Sequence, residues 1–112
     1  MAEGKLLWSG KLGVDLDVGA GAEAAHRCAL QCLSALRAEL GSLDRVRRVV
    51  RMTVYVASGA GFVDQPAVAN GASDLLVEVF GEEGKHARVA VSSPELPLGS
   101  PVEVEMIVEV RS

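Results

Sequence analysis

The chain has 112 residues, a formal net charge of −4 and 49% hydrophobic residues, with only 4% aromatic. This length builds one domain around one core, and the scarcity of aromatics leaves that core to Val, Leu and Ala. The acidic balance argues against a dedicated nucleic-acid binder, which carries a basic footprint, and no apolar run approaches a membrane span. Met1-Ala-Glu-Gly4 lacks the basic and apolar regions of a secretory leader.

Lys5-Leu-Leu-Trp-Ser9 reads as a short strand, and Gly10 to Gly21 as a glycine-rich connection holding Val14-Asp-Leu-Asp-Val18. A first helix is expected from Ala22 to Leu40, with Ala25, Cys28, Ala29, Cys32, Leu33, Leu36 and Leu40 on its apolar stripe. Cys28 and Cys32 are then neighbours on one helix face, where geometry disfavours a disulfide. A reduced, cytoplasmic setting is the simplest expectation. Gly41 suits the C-cap, and Ser42 suits the start of a short turn.

A strand follows from Arg47 to Ala57, with Val50, Met52, Val54 and Val56 expected on one face and Arg47, Val49, Arg51, Thr53 and Tyr55 on the other. Ser58-Gly-Ala-Gly61 breaks it. A second helix is expected from Gln65 to Phe80, burying Val68, Ala72, Leu75, Leu76, Val79 and Phe80. His86 to Ser92 is the next strand, with Ala87, Val89 and Val91 toward the core. The last is Val102 to Val110, with Glu103, Glu105, Ile107 and Glu109 away from it. Both helices should cover one side of the sheet in a two-layer α+β domain. On the helix-free side, Val49, Tyr55, Ala90 and Ile107 among the charges suggest cover by another copy of the chain. The same alternation puts Arg88 beside the glutamates, where it either pairs with Glu103 or Glu105 or holds an external anion.

Several stretches resemble the Rid/YjgF family of reactive-intermediate deaminases, whose older label is endoribonuclease L-PSP. They are Gly41 to Val56, Asn70-Gly-Ala-Ser-Asp-Leu-Leu-Val-Glu-Val-Phe-Gly81, His86-Ala-Arg88 and Leu96-Pro-Leu-Gly-Ser-Pro-Val-Glu-Val-Glu105. The resemblance covers the chain from about Lys11 onward and implies a chorismate-mutase-like α+β fold. It also implies a homotrimer with active sites in clefts between subunits. The implied reaction is hydrolysis of 2-imino or enamine acids, released by pyridoxal-phosphate enzymes, to 2-oxo acids and ammonia. The family arginine that binds the substrate carboxylate matches Arg88. The glutamate near the hydrolytic water matches Glu103, and the asparagine of the second helix matches Asn70. Active members carry Ser-Cys after the arginine, where this chain has Val89-Ala90, so Ala90 falls at a substrate-contacting position. On this match the family's N-terminal strand is absent. No metal or organic cofactor is implied, and the expected partners are a small carboxylate metabolite and further copies of the chain.

Other signals read more simply. His26, Cys28 and Cys32 lie on one helix without a fourth metal ligand, and the cysteines suit a core face. Asp15-x-Asp17 suits a polar loop. Gly19-Ala-Gly21-Ala-Glu-Ala24 matches a relaxed dinucleotide fingerprint, yet the chain is too short for that domain. Arg45, Arg47, Arg48 and Arg51 form the only basic cluster, and stacking aromatics for RNA are nearly absent. His86 reads as an exposed side chain at a strand edge.

Overall fold

In the computed structural model, which describes residues 9–111, Asp17 opens the first helix: its carboxylate accepts from the Ala20 amide at 2.8 Å. Helix α1 runs Val18–Leu40 and ends at Gly41, whose φ of 84° is the left-handed C-cap that glycine adopts without strain. The sequence pattern starts this helix a turn late, because Val18-Gly-Ala-Gly21 has poor helix propensity; the Asp17 cap overrides it. Gly19 and Gly21 therefore lie inside a helix. Gly21 is buried, and a Cβ there would run into Leu12 and Val68, so it is a packing glycine rather than part of a phosphate loop. The candidate strand Lys5–Ser9, Ser9 apart, lies outside the described residues.

Ser42 caps a 3₁₀ turn over Leu43–Arg45 by accepting from the Asp44 amide, and strand β1 follows over Val46–Ala57. Helix α2 spans Gln65–Phe80, β2 spans Ala87–Ser93 and β3 spans Val102–Val110. The strands form one mixed sheet in the order β2-β1-β3, with β1 parallel to β2 and antiparallel to β3. Leu12, the inner faces of both helices and Val49, Met52, Val54, Val56 and Val102 of the sheet make one core.

Two places depart from strict alternation. Against β3, the register of β1 shifts between Val46 and Arg48 and again between Val49 and Arg51. Each irregularity changes the phase of the strand, so Val46, Val49 and Met52 all face the core. Val49 is 1% exposed, whereas Val50 is only half-buried; the expected inward Val50 and outward Val49 are exchanged.

The second departure concerns β2. Arg88 pairs with Met52, Ala90 with Val54 and Ser92 with Val56. Partners in register share a face, so Arg88, Ala90 and Ser92 stand on the helix side, and Val89 and Val91 stand on the open side with Thr53 and Tyr55. The expectation that Arg88 shares the helix-free face with the glutamates is thus overturned. At a sheet edge the helix layer covers the strand only in part, so a long cation can occupy the inner face and still reach water. The valines instead enlarge the apolar content of the open face, where Val89 and Ile107 are each 46% exposed.

Helix α2 crosses α1 at Gly71. A Cβ there would collide with the Ala22 carbonyl and Cα, so the two backbones touch where no side chain fits. This close crossing holds the α2 face carrying Asn70 and Ser73 at a fixed height above β2.

Candidate functional site

Asn70 and Ser73 are three residues apart on α2 and so project from one face of the helix. Arg88 rises from the neighbouring strand to meet them. Its Nη1 donates to Asn70 Oδ1 at 2.6 Å and to Ser73 Oγ at 3.3 Å. Ser73 Oγ is also 3.0 Å from His86 Nε2, and His86 Nδ1 is 2.5 Å from the Gly84 carbonyl oxygen. A chain of hydrogen bonds thus runs Asn70–Arg88–Ser73–His86–Gly84 along the edge of the sheet. Gly84 is buried at the close of a 3₁₀ turn, and a Cβ there would strike the Leu76 carbonyl, so the anchor of this chain is fixed against α2.

Arg88 itself is exposed, and among the described residues its Nε and Nη2 have no hydrogen-bond partner. One edge of the guanidinium is therefore tied to α2 while the other faces outward. A planar fork held in this way presents parallel N–H donors to a carboxylate.

The structure brings Arg88, Asn70 and Ala90 to one face, and separates them from Glu103. Glu103 pairs with Tyr55 on β3, on the opposite face and at the far edge of the sheet. Two strand spacings, roughly 10 Å, lie between β2 and β3 before the change of face is counted. Glu103 lines a cleft of about 360 Å³ with Cys28, Gln31, Cys32, Ala35 and Val104. No single chain joins Arg88 to Glu103.

The cysteines of that cleft are free thiols. The Pro101 carbonyl accepts from Ala57 of β1, so by alternation the carbonyls of Val102 and Val104 point to the open edge of β3. Cys28 Sγ donates to Val102 O at 3.4 Å and Cys32 Sγ to Val104 O at 3.6 Å. Burial pushes both thiols up from their ordinary pKa; at Cys28 the neighbouring Cys32, and then Glu103, add to the rise. These are poor nucleophiles that cap a strand edge.

Sequence reasoning missed Ser73 altogether and took His86 as a solvent-facing edge residue. The signal was present in two spacings. Asn70-x-x-Ser73 is one helical turn, and His86-x-Arg88 is one strand repeat, so each pair shares a face. Asp15 and Asp17 serve local turns: Asp15 Oδ2 accepts from the Lys11 amide, and Asp17 caps α1. Arg47 and Arg48 converge on Glu109 at 3.5 and 3.4 Å, which neutralises part of the basic cluster. Among the described residues no three His, Cys, Asp or Glu side chains gather as a metal site, and no helix is long and apolar enough to cross a membrane.

Two helices on one face of a small mixed sheet, with an arginine-centred edge site, define a chorismate-mutase-like α+β domain. Residues 1–110 match the family described as "YjgF/chorismate_mutase-like, putative endoribonuclease", and the chain belongs to that family. It is 52% identical over 105 residues to Protein TCP17 of Trypanosoma cruzi, covering 93% of this chain and 66% of that protein. The crystal structure of Atu1372 from Agrobacterium tumefaciens, of unknown function, superposes with a TM-score of 0.97 at 43% identity, over 99% of this chain and 70% of the other. A "putative endoribonuclease" from Shewanella oneidensis gives 0.94 at 34% identity, over 98% of this chain and 73% of the other. The chain therefore spans about two thirds of the length of its curated relative.

Proposed function

We propose that the protein hydrolyses reactive 2-imino and enamine acids to 2-oxo acids and ammonia, in clefts between the copies of a homotrimer. The observation that carries this reading is Arg88. Its Nη1 is fixed to Asn70 and Ser73, and its remaining donors face outward without a partner among the described residues. A 2-imino acid places a carboxylate next to the electrophilic C=N carbon, so clamping the carboxylate also positions that carbon.

Water then adds to the C=N carbon and gives a proton to a base, while the nitrogen takes up protons and departs as ammonia. The carbon is left as the carbonyl of a 2-oxo acid. Imines are reactive enough that one positioned carboxylate suffices to orient and deprotonate the water. Glu103 is assigned this role from a neighbouring copy, since its own chain holds it on the opposite face from Arg88. The exposed Val89 and Ile107 on the open face suit burial between copies, with Tyr55 beside them. Ala90 lies beside Arg88 on the helix side and offers a small apolar wall to the substrate. The free thiols suit a reduced cytoplasmic setting.

The test supplies an imine stream from an amino-acid oxidase and follows its disappearance with wild type and Arg88→Ala. Loss of the clamp should cost about 100-fold or more in kcat/KM, because two charge-assisted hydrogen bonds are removed. Equal rates reject the assignment. Thermal stabilisation by small carboxylates that depends on Arg88, without turnover, points instead to a non-catalytic binder. Degradation of RNA by wild type that is lost on replacing Arg47, Arg48 and Arg51 by Ala supports the endoribonuclease named in the family description.

A further inference from the structure

We infer that His86 and Ser73 act together as a positioning relay that sets which edge of the Arg88 guanidinium is offered to a carboxylate. The inference rests on the functional reading above and adds two residues to it. With the His86 imidazole neutral, hydrogen-bond direction along the chain follows from the one group that can only accept. The Gly84 carbonyl can only accept, so the proton of the neutral imidazole sits on Nδ1, 2.5 Å away. Nε2 is then an acceptor, and the hydroxyl of Ser73 donates to it at 3.0 Å. With its single proton committed, Ser73 Oγ faces Arg88 with lone pairs and accepts from Nη1 at 3.3 Å. Asn70 Oδ1 accepts the other Nη1 proton at 2.6 Å.

Both Nη1 protons are consequently spent on α2, leaving the Nε–H and Nη2–H pair for a ligand. That pair lies in one plane and matches the two oxygens of a carboxylate. Without the imidazole acceptor, the Ser73 hydroxyl is free to rotate its proton toward the guanidinium, and the second tether is lost. Arg88 is then held by Asn70 alone and can swing about that bond. The relay is a device for preorganisation, acting on ligand affinity rather than on folding.

The test uses the full chain with pyruvate as the probe, titrated calorimetrically, alongside melting temperatures. Ser73→Ala and His86→Phe should each weaken pyruvate binding about tenfold, the lower end of what one lost hydrogen bond to a charged group costs. The double variant should be no weaker than either single one, because the two residues act in series. His86→Gln, which supplies a side-chain carbonyl acceptor, should restore part of the loss. Multiplying losses in the double variant, or unchanged affinity in both single variants, overturns the relay. Arg88→Ala separates the two claims. Binding lost there but unaffected in Ser73→Ala and His86→Phe removes only the relay. Binding that survives Arg88→Ala, or that wild type lacks, removes the carboxylate site and the relay with it.

Discussion

Gly71→Ala puts the helix crossing that supports the site to a test in which two physical effects have opposite signs. In an exposed helix interior, replacing Gly by Ala stabilises by about 1 kcal/mol through helix propensity alone. At position 71 the added methyl would overlap the Ala22 carbonyl and Cα of α1. Backbone cannot move to another rotamer, so α1 and α2 must separate, loosening the core that Ala24, Ala25, Val68 and Ala72 share. Overpacking of this kind costs about 3 kcal/mol at the upper end of its usual range, leaving a net loss of about 2 kcal/mol. An unfolding entropy near 2.1 cal/mol/K per residue, over 112 residues, converts this to a fall of about 8 °C in Tm. The same substitution at Gly19 is the control. There the new Cβ meets only Asp17 Oδ1 at 3.5 Å, and a modest rise is expected. Calorimetric melting of both variants gives the answer. A higher Tm for Gly71→Ala would refute the close crossing and the fixed placement of Asn70 and Ser73 that depends on it.

Three further outcomes follow from the packing of the thiols and of the open face. Because burial raises the pKa of Cys28 and Cys32, the unfolded chain loses thiol protons at lower pH than the native one. Stability should therefore fall as pH climbs above about 8.5, and Cys28→Ser with Cys32→Ser should flatten that slope in denaturant titrations. Alkylation of the native thiols should also be slower than that of the unfolded chain at pH 8, as judged by mass spectrometry of iodoacetamide adducts. On the open face, Val89→Glu together with Ile107→Glu should break the proposed homotrimer into monomers with little change in secondary structure, seen by light scattering and circular dichroism; a wild type that is already monomeric contradicts the proposed interface.

How much of this was legible in the sequence depended on whether tertiary contacts opposed the local pattern. Gln65–Phe80 and Val102–Val110 have the bounds the periodicity suggests, since Pro/Gly breakers flank them, although Val79, expected in the core, is 43% exposed on the last turn of α2. In β1 the irregular register cannot be seen in a run where Val, Arg and Met suit either face, so Val49 and Val50 exchange roles. β2 misleads for a different reason. Its valines are its most apolar residues, yet the parallel register with β1 sends them to the open face and turns Arg88 toward α2. Apolarity marks the buried side of a strand only when the other side is polar, and here the open face itself carries Val89, Val91 and Ile107. The family resemblance pointed to Arg88 and Asn70, while their hydrogen bond, and the contacts of Ser73 and His86, needed the packing of α2 on β2.

The most direct test of a catalytic cleft shared between copies is complementation. Arg88→Ala and Glu103→Gln should each lack imine hydrolysis when purified alone. Co-expressed in equal amounts, they should recover about a quarter of wild-type activity, the share of clefts that receive an intact arginine from one copy and an intact glutamate from its neighbour. Mixed oligomers that remain as inactive as the separate variants would contradict the account.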